Sequence, residues 1–368
     1  MQVVRFLKSN MMLTVALAAA IATVFFVPID MEYPGYFDLK TISCLFCVLA
    51  VVCALKNVNL FFVIASGIVK RFRNIRICTI ALVYITFIGS MFITNDMALI
   101  TFLPLGFIIL SMTDMRRHMA YVFVLQNIAA NLGGMLVPFG NPQNLYLFTK
   151  YDIPVGEFVE IMLLPFAASM ILLTLCCLAI RPEPLELNIG VASYDGNQTI
   201  ICLVLFALTI AVVFGFVPYP IGLIVVTGTL LVTDRQSLKM VDYSLIGTFA
   251  AFFVFSGNMA RIPVVRELFS ALLDKSALAV AALSSQVISN VPSAILLSEF
   301  TDDYRSLMLG VNIGGVGTLI ASLAGLITYR EYLKHEPGGS ARFMGIFSGL
   351  GFGFLAVLLG LEYVTALI

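Results

Sequence analysis

The stretch Thr94-Asn95-Asp96-Met97-Ala98-Leu99 sets a carboxylate in the middle of an apolar run. From Ile77 to Leu110, 34 residues, Asp96 is the one charged side chain. A charge at mid-membrane costs roughly 2.5–3.5 kcal/mol on insertion scales, so such residues mark ion or substrate paths. The run exceeds the ~20 residues of one crossing and falls short of two comfortable ones. Its length predicts a re-entrant hairpin over 77–111, two half-helices that turn back at Thr94-Asn95-Asp96. Bare backbone at that depth is tolerated only where it lines a cavity or is buried in protein.

The rest of the composition agrees with a membrane setting. Of 368 residues, 60% are hydrophobic and 11% charged, with mean hydropathy +1.02 and no tryptophan. A soluble domain of this size needs far more polar surface, so the chain reads as a polytopic helical membrane protein. Its formal net charge is zero, which gives no reason to expect nucleic acid as a partner. The partners expected are the lipid bilayer and a small-ion substrate. The seven cysteines fall almost entirely in apolar runs, and Cys44 and Cys47, one helical turn apart, read as small packing residues. His118 and His335 stand beside arginine or lysine at segment ends and make no metal site. With no HExxH or GxSxG motif and no histidine at depth, neither an enzyme nor a resident cofactor is expected. Residues 11–27 resemble a signal peptide in hydropathy, but no A-x-A-like cleavage site precedes Asp30-Met31-Glu32, so they are read as a span.

Spans are predicted at 11–27, 39–55, 58–70, 158–180, 199–216, 219–233, 243–259 and 341–367. Between them lie the hairpin at 77–111, a polar-interrupted helix at 119–148, a second hairpin at 276–300 and a second interrupted helix at 304–330. Arg181 to Gln198 is the one clearly polar linker. Three motifs recur in the same order across it. Phe61-Phe62-Val63 returns as Phe252-Phe253-Val254, Asn95 in the first tip as Asn290 in Ser289-Asn290-Val291-Pro292, and Asn131-Leu132-Gly133-Gly134 as Asn312-Ile313-Gly314-Gly315. The offsets are 191, 195 and 181 residues. Five crossings and one hairpin per half make an odd number of crossings. The expected architecture is therefore all-α with two inverted-topology repeats, 1–180 and 199–368, joined by the linker 181–198, with broken helices at the midplane. The dense cluster Lys70, Arg71, Arg73 and Arg76 favours placing that loop in the cytoplasm and the N-terminus outside, although Arg5 and Lys8 pull the other way.

Four polar patches sit inside otherwise apolar segments. They are the tips Thr94-Asn95-Asp96 and Ser289-Asn290, the run Gln126 to Asn144, and the run Asn312 to Ser322. Freed carbonyls and asparagine oxygens at helix breaks suit Na⁺, and half-helix N-termini suit an anion. The alternative is that the glycines only allow close helix packing and the amides bridge helices. Asp96 itself reads either as a coupling residue or as a cap on the second half-helix. Asn258 and Arg261 read as a span end near the outer face or as a first contact for an incoming anion.

At these residues the chain resembles the ion transporter superfamily, which includes divalent-anion/sodium symporters, arsenite permeases and certain sodium/proton antiporters. Asn95-Asp96-Met97-Ala98 is similar to the Asn-Asp-x-Ala tip of the arsenite permease branch. Gly140-Asn141-Pro142-Gln143-Asn144-Leu145 and Gly317-Thr318-Leu319-Ile320-Ala321-Ser322 resemble signatures of small bacterial anion-permease-like members. In the symporters a Ser-Asn-Thr motif at each tip touches substrate carboxylates, and tips and helix breaks together cage sodium. Carried onto this chain, the resemblance implies substrate contacts from Thr94, Asn95, Asn141, Asn144, Ser289, Asn290 and Thr318. It implies coupling of Na⁺ or H⁺ through Asp96, Asn95, Asn131, Gly134, Asn290, Asn312 and Gly315. The third tip position departs from the pattern, being Asp96 in one tip and Val291 in the other. An ionised Asp96 at about 4 Å from an anion would repel it by about 4 kcal/mol at an effective dielectric near 20, a repulsion that a proton or cation could neutralise. The resemblance further implies a homodimer in the bacterial inner membrane with a mobile hairpin-containing transport domain. The leading expectation is a carrier of a small anion, a carboxylate or inorganic oxyanion, coupled to H⁺ or Na⁺. The alternatives are a sodium/proton antiporter and an arsenite efflux permease.

Overall fold

The computed structural model describes residues 10–112, 115–184 and 196–366. Every regular element among them is helical, and one isolated bridge joins Asn74 to Pro184. The first four helices are α1 (Met11–Val24), α2 (Leu39–Asn57), α3 (Leu60–Val69) and α4 (Ile75–Ile93). They are followed by α5 (Asn95–Met112), α6 (Met119–Gly133), α7 (Pro142–Lys150) and α8 (Val155–Leu178). Beyond the polar linker come α9 (Gly196–Val213), α10 (Tyr219–Thr233), α11 (Arg235–Met240), α12 (Tyr243–Arg261) and α13 (Pro263–Ile288). The last four are α14 (Asn290–Leu297), α15 (Tyr304–Ile313), α16 (Leu323–His335) and α17 (Ser340–Ala366). Nine helical segments among the described residues are long and apolar enough to cross a membrane.

Local chemistry sets many boundaries. Asp38, Asn74, Asp234, Asp242 and Asp303 each accept a hydrogen bond from a backbone N–H in the first turn that follows, as N-caps do. Proline opens α7 and α13, where its missing N–H costs nothing. Arg181 to Pro184 of the linker lie beside the start of α4, with the Ile75 N–H donating to the Glu183 carbonyl at 3.0 Å. Residues 185–195 of that linker, and Arg5 and Lys8, lie outside the described residues.

Two expectations change. The sequence predicts two half-helices for the first hairpin, but α4 and α5 have 19 and 18 residues, roughly 27–29 Å each. Each is as long as a crossing because α4 starts at Ile75, two residues before the run, α5 continues to Met112, and the turn consumes a single residue, Thr94. The second difference lies before the second hairpin. The sequence predicts no element over 260–275, yet α13 starts at Pro263 and continues to Ile288, broken at Ser276 (φ −168°, ψ 94°). The Ser276 hydroxyl accepts from the Ala279 N–H at 3.2 Å and so caps the helix that restarts there.

The helices pack as two groups. In the first, α1 lies along α12, and α2 along α9, α10 and α11. In the second, α4 packs on α6 and α13 packs on α15, both at close quarters. A Cβ on Gly133 would stand 2.0 Å from the Phe87 carbonyl oxygen, and one on Gly310 would stand 2.6 Å from that of Leu278. Only glycine permits backbones to approach that closely. The halves also interlock: α7 packs on α14 and α15, while α16 packs on α5 and α6. Each short helix that leaves a break therefore lies against the hairpin of the other half.

Candidate functional site

The two tips are built alike. Thr94 ends α4 with φ 63° and ψ 155°, and Ser289 ends the long α13 with φ 76° and ψ 155°. The next residue begins the next helix. The Asn95 N–H donates to the Gly140 carbonyl at 3.2 Å, and the Asn290 N–H donates to the Ala321 carbonyl at 2.9 Å. Both acceptors lie in helix breaks, so each tip is tied to the break of its own half.

The tips and breaks converge on one small cavity. Asn95 and Asp96 line it from the first tip and Ser289, Asn290 and Val291 from the second. Pro142 and Gln143 open α7 there, and Leu323 opens α16. Four helix N-termini, those of α5, α7, α14 and α16, thus meet at one space of about 20 Å³, room for a water-sized species. Their partial positive ends favour negative charge. Met12, Leu245 and Thr248 close the remaining wall from α1 and α12.

Beneath the cavity, amides bridge the halves. Asn312 accepts at Oδ1 from Gln143 Nε2 at 3.2 Å and from Asn141 Nδ2 at 3.4 Å. Its own Nδ2 donates to Asn144 Oδ1 at 2.5 Å and to the Met308 carbonyl at 2.8 Å. Asn131 accepts at Oδ1 from Asn95 Nδ2 at 3.3 Å and donates to the Asn127 carbonyl at 3.0 Å. Asn131 and Asn312 therefore make matching bonds back to the carbonyl four residues earlier. A Cβ on Gly134 would lie 2.5 Å from Asn141 Oδ1, and one on Gly315 would lie 3.0 Å from Asn290 Nδ2. These two glycines leave room for the amides to reach the breaks.

Several buried oxygens in this cluster have no partner within the protein: Asn95 Oδ1, Asp96 Oδ1, Asn141 Oδ1 and Gln143 Oε1. All are acceptors. A buried acceptor left unpaired costs about 1–3 kcal/mol, a deficit that a cation or a proton donor removes. Such oxygen sets suit a hard cation. Asp96 as a whole is half-buried and lines the cavity.

The structure brings together at the cavity wall Asn95, Asp96, Ser289 and Asn290, with Thr94 buried beside them. Asn131, Asn141, Asn144, Gly134, Asn312 and Gly315 form the layer beneath. Thr318 is placed differently. Its hydroxyl donates to the Gln286 carbonyl at 2.9 Å and its N–H to Gln286 Oε1 at 2.8 Å, which turns it toward α13. Arg261 is held by Asp30 at 2.5 Å and Glu32 at 3.3 Å, and Asn258 donates to Thr23 Oγ1 and Tyr33 Oη. Both fasten α12 to α1 and its loop, away from the cavity.

Three glutamines carry roles that the sequence did not assign. Gln143 lines the cavity. Gln286 Nε2 donates to the carbonyls of Gly314 at 2.7 Å and Val316 at 3.1 Å, clasping the second break. Gln126 Nε2 donates to Thr86 Oγ1 at 3.1 Å and the Phe102 carbonyl at 3.2 Å, joining both arms of the first hairpin. The signal available was an amide inside an apolar segment, next to asparagine at Gln126 and Gln143 and alone at Gln286.

Comparison with known proteins gives a consistent result. The family described as CitMHS: Citrate transporter matches residues 6–303. An uncharacterized transporter of Methanocaldococcus jannaschii is 34% identical over 302 residues, 82% of this chain and 83% of that protein. The inner membrane protein YbiR of Escherichia coli K12 is 28% identical over 334 residues, 89% of each chain. A 21% identical match over 341 residues is an uncharacterized transporter of Mycobacterium tuberculosis.

Proposed function

Because the chain belongs to the citrate transporter family CitMHS, we propose that this transporter moves a small anion coupled to Na⁺ or H⁺ by alternating access. It is a multi-pass protein of the inner membrane. One observation carries the reading: four helix N-termini meet at one small space, and Asn95, Asp96 and Gln143, each with an unpartnered buried oxygen, line it. The N-termini attract an anion, and the oxygens attract the cation or proton that neutralises Asp96. The family name supports a carboxylate as the anion. The matched tips, and the reciprocal packing of α7 and α16, support two inverted repeats, 1–180 and 199–368, whose hairpins and broken helices move together. The scaffold is then α1–α3 with α9–α12.

A second reading, sodium/proton exchange with no organic substrate, is favoured by a carboxylate, Asp96, in the cavity lining. Thermal stability of the purified protein separates the two. Citrate and other carboxylates, sulfate, phosphate and arsenite are each added in sodium and in choline, at pH 6 and pH 8. A ligand at about 100 times its Kd adds roughly 2.7 kcal/mol. Anion stabilisation that depends on sodium or on low pH is the expected result. Stabilisation by sodium alone, with every anion silent, overturns it in favour of exchange.

A further inference from the structure

A second pocket, of about 550 Å³, lies at the far end of α8 from Lys150, where α8 ends and α6 and α17 begin. Arg117, His118, Arg181, Arg342 and Glu183 line it. Among the described residues the lining carries three guanidiniums and one carboxylate, which Arg117 Nη2 engages at 2.5 Å. Arg342 is held beside them, its Nη2 donating to the Arg117 carbonyl at 2.6 Å. Arg181 is exposed. The wall is apolar, formed by Ile180 and Ile346 with the ring of Tyr121.

We propose that this pocket binds the phosphate headgroup of an anionic phospholipid. Guanidinium forks match phosphate oxygens in pairs and give up hydration more readily than ammonium groups. The excess of cations over carboxylates leaves the pocket attractive to an anion. Tyr121 and Ile346 of that wall belong to helices long and apolar enough to span the membrane, beside which an acyl chain would lie. The same face carries the Lys70–Arg76 cluster: Arg76 Nε donates to the Ile180 carbonyl at 2.6 Å. The charge pattern places that face toward the cytoplasm, and basic pockets between helices on that side recognise anionic headgroups.

The test is native mass spectrometry of the full-length protein with phosphatidylglycerol, with phosphatidylcholine of the same acyl chains, and with inorganic phosphate. The wild type should retain phosphatidylglycerol over phosphatidylcholine. Affinity for phosphatidylglycerol should fall about 5-fold in Arg181→Gln and about 30-fold in Arg181→Gln/Arg342→Gln. Arg181 is exposed, so the single variant keeps the fold, which its melting temperature checks. Equal retention of both lipids overturns the proposal, as does equal phosphatidylglycerol retention by wild type and both variants. Binding of inorganic phosphate without preference for the anionic lipid assigns the pocket to a soluble phosphate and overturns it too.

Discussion

Thr94 and Ser289 hold one backbone conformation, φ 63° and ψ 155° at the first, φ 76° and ψ 155° at the second. Positive φ with such ψ is a region occupied almost wholly by glycine, and a side chain there costs of order 1–3 kcal/mol. Each is followed by an asparagine whose N–H is spent on a helix break. Strain held at two matched points beside one cavity marks the tips as places where the backbone is constrained for the site.

Thr94→Gly should relieve that strain and raise stability by about 1 kcal/mol. Transport should fall at the same time, because the tip is no longer held in one conformation. Thermal unfolding and uptake into proteoliposomes measure the two effects. A lower melting temperature in Thr94→Gly counts against strain at this residue.

Asp96→Asn keeps the shape of the side chain and removes its charge. The protein should fold, and any sodium- or proton-dependence of anion stabilisation should disappear. Uptake against a gradient that persists with unchanged pH dependence removes Asp96 from the coupling role.

Gln286→Leu deletes the amide that holds the carbonyls of Gly314 and Val316 and the N–H of Thr318. Leaving these groups unpaired should cost about 1–3 kcal/mol. Gln286→Glu should be partly tolerated, since it still accepts from Thr318 but cannot donate. Melting temperatures of the two variants, compared with wild type, test the order.

Arg261 donates to both oxygens of Asp30 and, with the Glu32 N–H, holds its carboxyl below the ordinary 3.8. A depressed carboxyl adds stability that is full above the unfolded value and is lost as pH falls through the folded one. The stability difference between wild type and Asp30→Asn should be flat above about pH 5 and shrink below about pH 4. The pair is exposed, so the difference should be small and reduced by salt.

Much of this molecule was legible in order of residues, for one reason. In a hydrocarbon setting every polar group is costly, so Asn95, Asp96, Asn131, Ser289, Asn290 and Asn312 stand out against their neighbours. The breaks at Gly133-Gly134 and Gly314-Gly315 were readable because glycine pairs beside asparagine interrupt long apolar runs. Thr318 was harder, since a hydroxyl in a loop has no periodicity to orient it, and it turned toward Gln286. The start of α13 was obscured because Pro263 to Lys275 mixes charged and apolar residues within a few turns.

The sequence by itself determined the membrane setting, the all-helical class, and which polar residues stand inside apolar segments. Hydropathy is additive along the chain, so these are properties of composition and local order. Only the tertiary structure decided that Asn312 bonds Asn141, Gln143 and Asn144, and that α5, α7, α14 and α16 point their N-termini at one cavity. Those are contacts between residues as many as 171 positions apart, set by the close approach of backbones at Gly133 and Gly310. Spacing along one helix carries no information about which distant amide completes it.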